Sequence, residues 1–205
     1  MDVKIYIEGG GNSKEEKARC REGFRKLIEK AGFTDRMPRT VACGGRNEAF
    51  SDFQTGLQKK NQVSLLLVDS EDIVTGLTAT VDHDFAWQHL QTRDNWTRPL
   101  GTTNNQALLM ATCMESWICA DRQTIREHYG TKDLQENALP SLIDLETRNR
   151  HNIQDALAHA TRKSKKAYRK GNRSFELLAK LNIETLETNL SQFKRLKEIL
   201  KEVLL

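Results

Sequence analysis

The sequence predicts an α/β protein: a mostly parallel sheet covered by helices, extended at the C-terminus by a helical, basic segment. Three observations predict it. Apolar strand-like runs alternate with segments of helical period from the first residues onward. Leu65-Leu66-Leu67-Val68 is a continuous apolar run of the kind that fills a parallel sheet buried on both faces. Glycines fall between the segments, at 9–11, 32 and 44–45, where one element gives way to the next.

The first strand is read from Val3, Ile5 and Ile7, which alternate with Lys4 and Tyr6 before Glu8. Gly9-Gly10-Gly11-Asn12-Ser13 is a turn with two candidate N-caps. Residues 14–31 then form a helix with apolar positions at Ala18, Phe24, Leu27, Ile28 and Ala31, closed by Gly32. Residues 38–43 make a short second strand, and 46–60 a second helix with Ala49, Phe50, Phe53 and Leu57 inward. A third strand covers 63–68, and the order βαβαβ calls for right-handed crossovers. Over 73–105 the periodicity breaks up in a segment too long for an ordinary connection, which marks it as functional. Residues 107–114 admit two readings: a fourth buried strand ending at Glu115 with a helix over 116–129, or one continuous helix that leaves Glu115 at the surface. Residues 1–130 are the expected core, and 131–205 a helical extension packed on it. Within the extension Phe175, Leu177, Leu178 and Leu181 mark one helix. A second, over 183–205, carries Leu190, Phe193, Leu196, Leu200 and Val203 on one face, which either packs on its own domain or meets a partner.

The length of 205 residues suffices for one good core, and hydrophobic and charged contents of 38% and 29% are those of a globular chain. No apolar run approaches the roughly 20 residues of a spanning helix, so no membrane partner is expected. The chain opens on a strand pattern without the basic and apolar stretches of a signal peptide, and the expected location is the cytoplasm. Cys20, Cys43, Cys113 and Cys119 are too widely spaced for a zinc site and read as reduced, mostly buried thiols. His83, His89, His128, His151 and His159 also lack ligand spacing. The net charge of +4 is uneven: from residue 161 onward twelve Lys or Arg face five Asp or Glu, giving +7 and leaving −3 for the first 160 residues. Arg162, Lys163, Lys165, Lys166, Arg169, Lys170 and Arg173 cluster around one aromatic, Tyr168. Such a run neutralises phosphates and sets the ring against a base or sugar, which makes RNA or DNA the expected partner. The plainer reading is a solvated linker or a landing site for an acidic partner.

Chemistry is expected at strand ends, because ligands of open α/β sheets bind beyond the carboxyl ends of the strands. Glu8 follows the first strand and Asp69-Ser70-Glu71-Asp72 the third. Glu8, Asp69, Glu71 and Asp72 are candidate ligands of Mg²⁺ or Mn²⁺, since converging carboxylates repel one another unless a hard cation intervenes. The competing reading makes Glu8 a cap of the first helix and 69–72 a solvated turn. Glu115 joins the same edge if the fourth strand forms. Arg46, Lys165, Lys166 and Lys170 are candidates for steering an anionic substrate, on charge and loop position. The triple glycine is not a phosphate loop, because Glu15 follows Lys14 where Ser or Thr is required and the Walker spacing is absent. A phospho-accepting Asp69 lacks the acidic pair expected after the first strand.

Across Ile5-Tyr6-Ile7-Glu8-Gly9-Gly10-Gly11 and Leu66-Leu67-Val68-Asp69-Ser70-Glu71-Asp72 the chain resembles a TOPRIM domain, the metal-binding α/β module of topoisomerases, primases and OLD-type nucleases. It is more closely similar to a bacterial domain-of-unknown-function family with a TOPRIM-like core that includes the effector of the PARIS anti-phage system. That likeness runs through Cys20-Arg21-Glu22-Gly23-Phe24, Ala42-Cys43-Gly44-Gly45-Arg46-Asn47, Trp87-Gln88-His89-Leu90, Met114-Glu115-Ser116-Trp117 and Ser174-Phe175-Glu176-Leu177-Leu178. The resemblance implies a TOPRIM-like fold and a Mg²⁺-dependent nuclease, with Glu8 as general acid or base and Asp69 with Glu71 on the metal. Glu71 stands where the pattern has Asp, so either Glu71 or Asp72 completes the set. The resemblance also implies a phage-defence effector controlled by a partner ATPase of AAA or ABC type, and self-association is compatible with it. No ATPase motif occurs in this chain. The rival expectation is a non-catalytic TOPRIM-shaped subunit that docks on such an ATPase through its C-terminal helices.

Overall fold

The computed structural model describes residues 2–204. Four parallel strands, β1 (Asp2–Glu8), β2 (Arg39–Gly44), β3 (Gln62–Asp69) and β4 (Ala107–Met110), lie in the order β2-β1-β3-β4. The chain steps outward from β1 to β2 and then crosses to β3 on the other side of β1. A topological switch point therefore falls between the carboxyl ends of β1 and β3, where α/β proteins place ligands.

Side-chain alternation divides the sheet between two cores. Ile5, Ile7, Leu65, Leu67, Leu108 and Met110 pack with Phe24 and Leu27 of α1 (Lys14–Ile28). Tyr6, Leu66, Val68 and Leu109 pack with Phe53 of α2 (Arg46–Leu57) and with Trp87 and Leu90 of α3 (Phe85–Asp94). The unbroken apolar run of β3 is the consequence of burying both faces. Ser13 starts α1 by accepting the Glu16 N–H at 3.1 Å, so the cap is Ser13 and not Glu8. The segment over 73–105 is not irregular throughout. It carries α3, and Trp96 stacks on Phe50 with ring centroids 4.3 Å apart.

The fourth strand forms but ends at Met110, and Cys113 begins α4 (Met114–Ala120). Glu115 therefore lies in the first turn of a helix and is fully buried, not at the surface. After α5 (Arg122–Tyr129) the remaining helices are α6 (Arg150–Thr161), α7 (Asn172–Leu178), α8 (Ile183–Asn189) and α9 (Ser191–Leu204). The single helix expected over 183–205 is thus two. The Glu146 carboxylate accepts the Ser191 and Gln192 N–H groups at 2.7 and 2.9 Å and starts α9 anew. Residue 205 lies outside the described residues.

The C-terminal helices share the core of the sheet. Trp117 of α4 packs edge-on to Phe24 of α1 and Phe193 of α9, with centroids 6.4 and 5.2 Å apart. Fully buried Arg195 donates to the Ala107 and Asn104 carbonyls at 3.0 Å each, tying α9 to the sheet edge. Among the described residues no helix is long and apolar enough to cross a membrane.

Candidate active site

A cavity of about 300 Å³ opens at the switch point. Its floor comes from the strand ends: Glu8 of β1, Gly44 of β2, Asp69 of β3 and Met110 of β4. The 9–11 glycine turn and Glu16 form one wall, and Lys170, Gly171, Ser174 and Phe175 form another. Two glycines are required by close approach. Gly10 has φ +86°, and a Cβ there would lie 2.8 Å from the Lys17 Cα. Gly44 has φ +96°, and its Cβ would lie 2.7 Å from the Gly11 carbonyl oxygen.

The two strand-end carboxylates are held differently. Asp69 Oδ1 accepts the Met114 N–H at 2.8 Å, which places a carboxylate at the start of α4. Burial, then repulsion from Glu8 and Glu115, pushes the Asp69 carboxyl well above the usual range, against the opposing pull of Lys170 and the Met114 amide. Glu8 Oε2 accepts Arg46 Nη1 at 3.1 Å and the Asp69 N–H at 3.3 Å. Arg46 also donates to the Asp69 carbonyl at 2.5 Å and grips Asp94 with two bonds of 2.9 and 2.6 Å, while its guanidinium lies 5.0 Å from the Trp96 ring centroid. Burial opposes ionisation of Asp94, but Arg46 and Arg93 outweigh it and hold that carboxyl low.

Several expected residues are placed elsewhere. Glu71 adopts φ +62° and is turned onto Arg93 and Arg150, and Asp72 pairs with Arg93 at 3.0 Å on the outside. Neither lines the cavity, because the left-handed turn after Ser70 and the two guanidiniums direct Glu71 outward. Arg46 does not line the cavity, and it donates to Glu8, Asp69 and Asp94 instead. Of the basic run, Lys170 lines the cavity, while exposed Lys165 and Lys166 do not. Tyr168 is buried and donates to Glu115 at 2.5 Å, so its ring is not free to stack on a base. Glu115 also accepts Gln154 Nε2 at 3.1 Å and stands behind Asp69. All four cysteines are free and buried, and burial raises the Cys20, Cys43 and Cys119 thiols to about 12.

The sequence reading missed Glu16, Arg93, Asp94 and Arg150. Glu16 was recoverable, because Ser13 and Glu16 have the spacing of a capping box. The other three carry no local signal and meet only through the fold.

Among the described residues no group of three or more His, Cys, Asp or Glu side chains is placed to hold a metal ion. The expected set of four therefore does not assemble. Of that set, Glu8 and Asp69 remain on the cavity, where Glu8 repels the buried Asp69, and Glu16 lies on the wall beside them. Two carboxylates fit a hard divalent cation that keeps waters or substrate oxygens in its other positions.

The fold and this edge define a doubly wound α/β protein with paired carboxylates at its switch point. Residues 7–201 match the family described as a domain of unknown function (DUF4276), and the chain belongs to that family. No curated protein and no solved structure matches it.

Proposed function

We propose that the chain is a Mg²⁺- or Mn²⁺-dependent nuclease of TOPRIM-like construction that hydrolyses RNA or DNA phosphodiesters. In the same reading it is the toxic effector of a phage-defence system under a partner ATPase. The observation that carries the catalytic part is the pairing of Glu8 with buried Asp69 on neighbouring strand ends, with Lys170 as the cation on the same cavity. Glu8 and Asp69 would hold the cation, which supplies Lewis-acid polarisation of the phosphate and a more acidic bound water. Arg46 donates to Glu8 and fixes the direction of its side chain along the sheet edge. Lys170 meets the charge of the phosphate, and Phe175 and Met114 limit water on the apolar side.

The test is a thermal shift with millimolar Mn²⁺, with labelled tRNA, single-stranded DNA and duplex DNA as substrates. A cation bound only by the folded state raises the midpoint by mass action. The expected results are a shift that vanishes in Asp69→Asn and cleavage that is lost in Glu8→Ala and Asp69→Ala. No shift in the wild type, or equal cleavage by all three proteins, overturns the reading. One observation favours the rival, a non-catalytic subunit docking on an ATPase: Glu71 and Asp72 are engaged by arginines instead of the cavity. Absence of a metal shift together with ATPase binding selects it.

A further inference from the structure

The basic segment between α6 and α7 is a closed loop, not a free tail. Its N-terminal end is tied by Thr161, whose hydroxyl oxygen accepts the Tyr168 N–H at 2.9 Å while its proton goes to the Leu157 carbonyl at 2.9 Å. Its C-terminal end is tied at Gly171, whose N–H donates to the Ser174 hydroxyl at 3.0 Å. Ser164 accepts the Lys166 N–H and Arg173 donates to the Ala167 carbonyl, so the interior of the loop is also shaped. Between these ties Arg162, Lys163, Lys165, Lys166, Arg169 and Lys170 are exposed, and Lys170 also borders the cavity.

One side chain points the other way. Tyr168 descends from the loop into the core and donates its hydroxyl proton to Glu115 at 2.5 Å. Glu115 is fully buried, and among the described residues its side-chain partners are neutral, with no Lys, Arg or His paired to it. A buried carboxylate without a counter-ion depends on its hydrogen-bond donors, and Tyr168 and Gln154 are among them, with the Cys113 thiol beside them. Glu115 is also one of the charges acting on Asp69, so the anchor of the loop adjoins the carboxylate pair. Lys170, two residues beyond Tyr168, is the loop residue that reaches the cavity.

We propose that Tyr168 is a positioning residue: through Glu115 it fixes the 162–170 loop so that its cations form a docking track for a nucleic-acid backbone that ends, at Lys170, on the carboxylate cavity. The proposal rests on the nuclease reading for its substrate class. It differs in what it needs, because phosphate contacts by lysine require no divalent cation. Like charges crowded on one short loop repel one another, and a polyphosphate backbone relieves that repulsion.

The test measures binding of a fluorescent mixed-sequence single-stranded oligonucleotide to the full-length protein by anisotropy over a salt series, without divalent metal. Hydrogen exchange of residues 162–170 is followed in parallel. Lys170→Ala is expected to lower the magnitude of the slope of log K against log salt by about 0.7, and Lys165→Ala with Lys166→Ala by about 1.4. Tyr168→Phe removes no charge, yet is expected to weaken binding roughly tenfold and to speed exchange in the loop while α4 and α6 stay protected. Glu115→Gln keeps an acceptor for the Tyr168 hydroxyl and is expected to hold loop exchange at the wild-type rate. If Tyr168→Phe binds as the wild type does, or if the wild type binds no oligonucleotide, the proposal is overturned. Oligonucleotide binding without a Mn²⁺ shift overturns the cation reading and leaves the loop proposal standing. A Mn²⁺ shift without oligonucleotide binding does the reverse.

Discussion

Arg46 sets the geometry of the acidic edge at the scale of single residues. It joins three elements by donating to Glu8 at the end of β1, the Asp69 carbonyl at the end of β3 and Asp94 at the end of α3. Its charge alone suggests a substrate contact, but the side chain is largely buried and its donors are used internally. Removing one member of a buried ion-pair network leaves the partners uncompensated, which costs roughly 3 kcal/mol. Arg46→Met is therefore expected to lower the unfolding free energy read from urea titration by that amount at neutral pH, while Asp94→Asn costs less because the guanidinium keeps Glu8. Equal and small effects in both would show that the network does not hold the edge together. Asp69 has a dual role for the same kind of reason. One oxygen serves the start of α4 and the carboxylate as a whole lines the cavity, so neither the structural nor the functional reading of that residue excludes the other.

Among the elements, the seam between α5 and α7 carries a pH dependence. His128 Nδ1 lies 3.1 Å from Lys180 Nζ and accepts a hydrogen bond from that ammonium, which requires Nδ1 to be unprotonated. Burial, then the charge of Lys180, lowers the His128 pKa below its ordinary 6.5; Lys166 and Arg173 add to this and Glu176 opposes it. A histidine whose folded pKa is depressed contributes stability that is present above the unfolded value and is lost as pH falls through the folded one. The wild type is thus expected to lose stability between pH 7 and pH 5 by less than about 1 kcal/mol at this site, solvent screening part of the effect. His128→Asn should flatten that limb in a series of urea titrations, and an unchanged pH profile would remove His128 from the account. The helix periods of α1, α2, α7 and α9 were readable from sequence because apolar spacing is local. The break at Leu190 was not, since the carboxylate that restarts α9 comes from Glu146, far away in the chain.

Across the whole molecule the C-terminal helices complete the core of the sheet. Phe193, Leu196 and Leu200 of α9 share one buried cluster with Ile5, Leu65 and Leu108, and Trp117 sits between α1 and α9. A fragment of residues 1–130 exposes that face and is expected to be unfolded or aggregated by circular dichroism and gel filtration, not an independent domain. A folded, monomeric fragment would contradict this. Period, glycine placement and apolar runs are properties of neighbouring residues, so the parallel α/β order, the strands that run into Glu8 and Asp69, and the burial of β3 on both faces are legible in the sequence. Only the tertiary structure decided which charges meet. The strand ends name an edge, but the direction of a side chain beyond it depends on the turn that follows and on partners from distant segments. That is why Glu71 goes to Arg93 and Arg150, Tyr168 turns inward to Glu115, and Glu8 and Asp69 meet on the cavity beside Glu16 and Lys170.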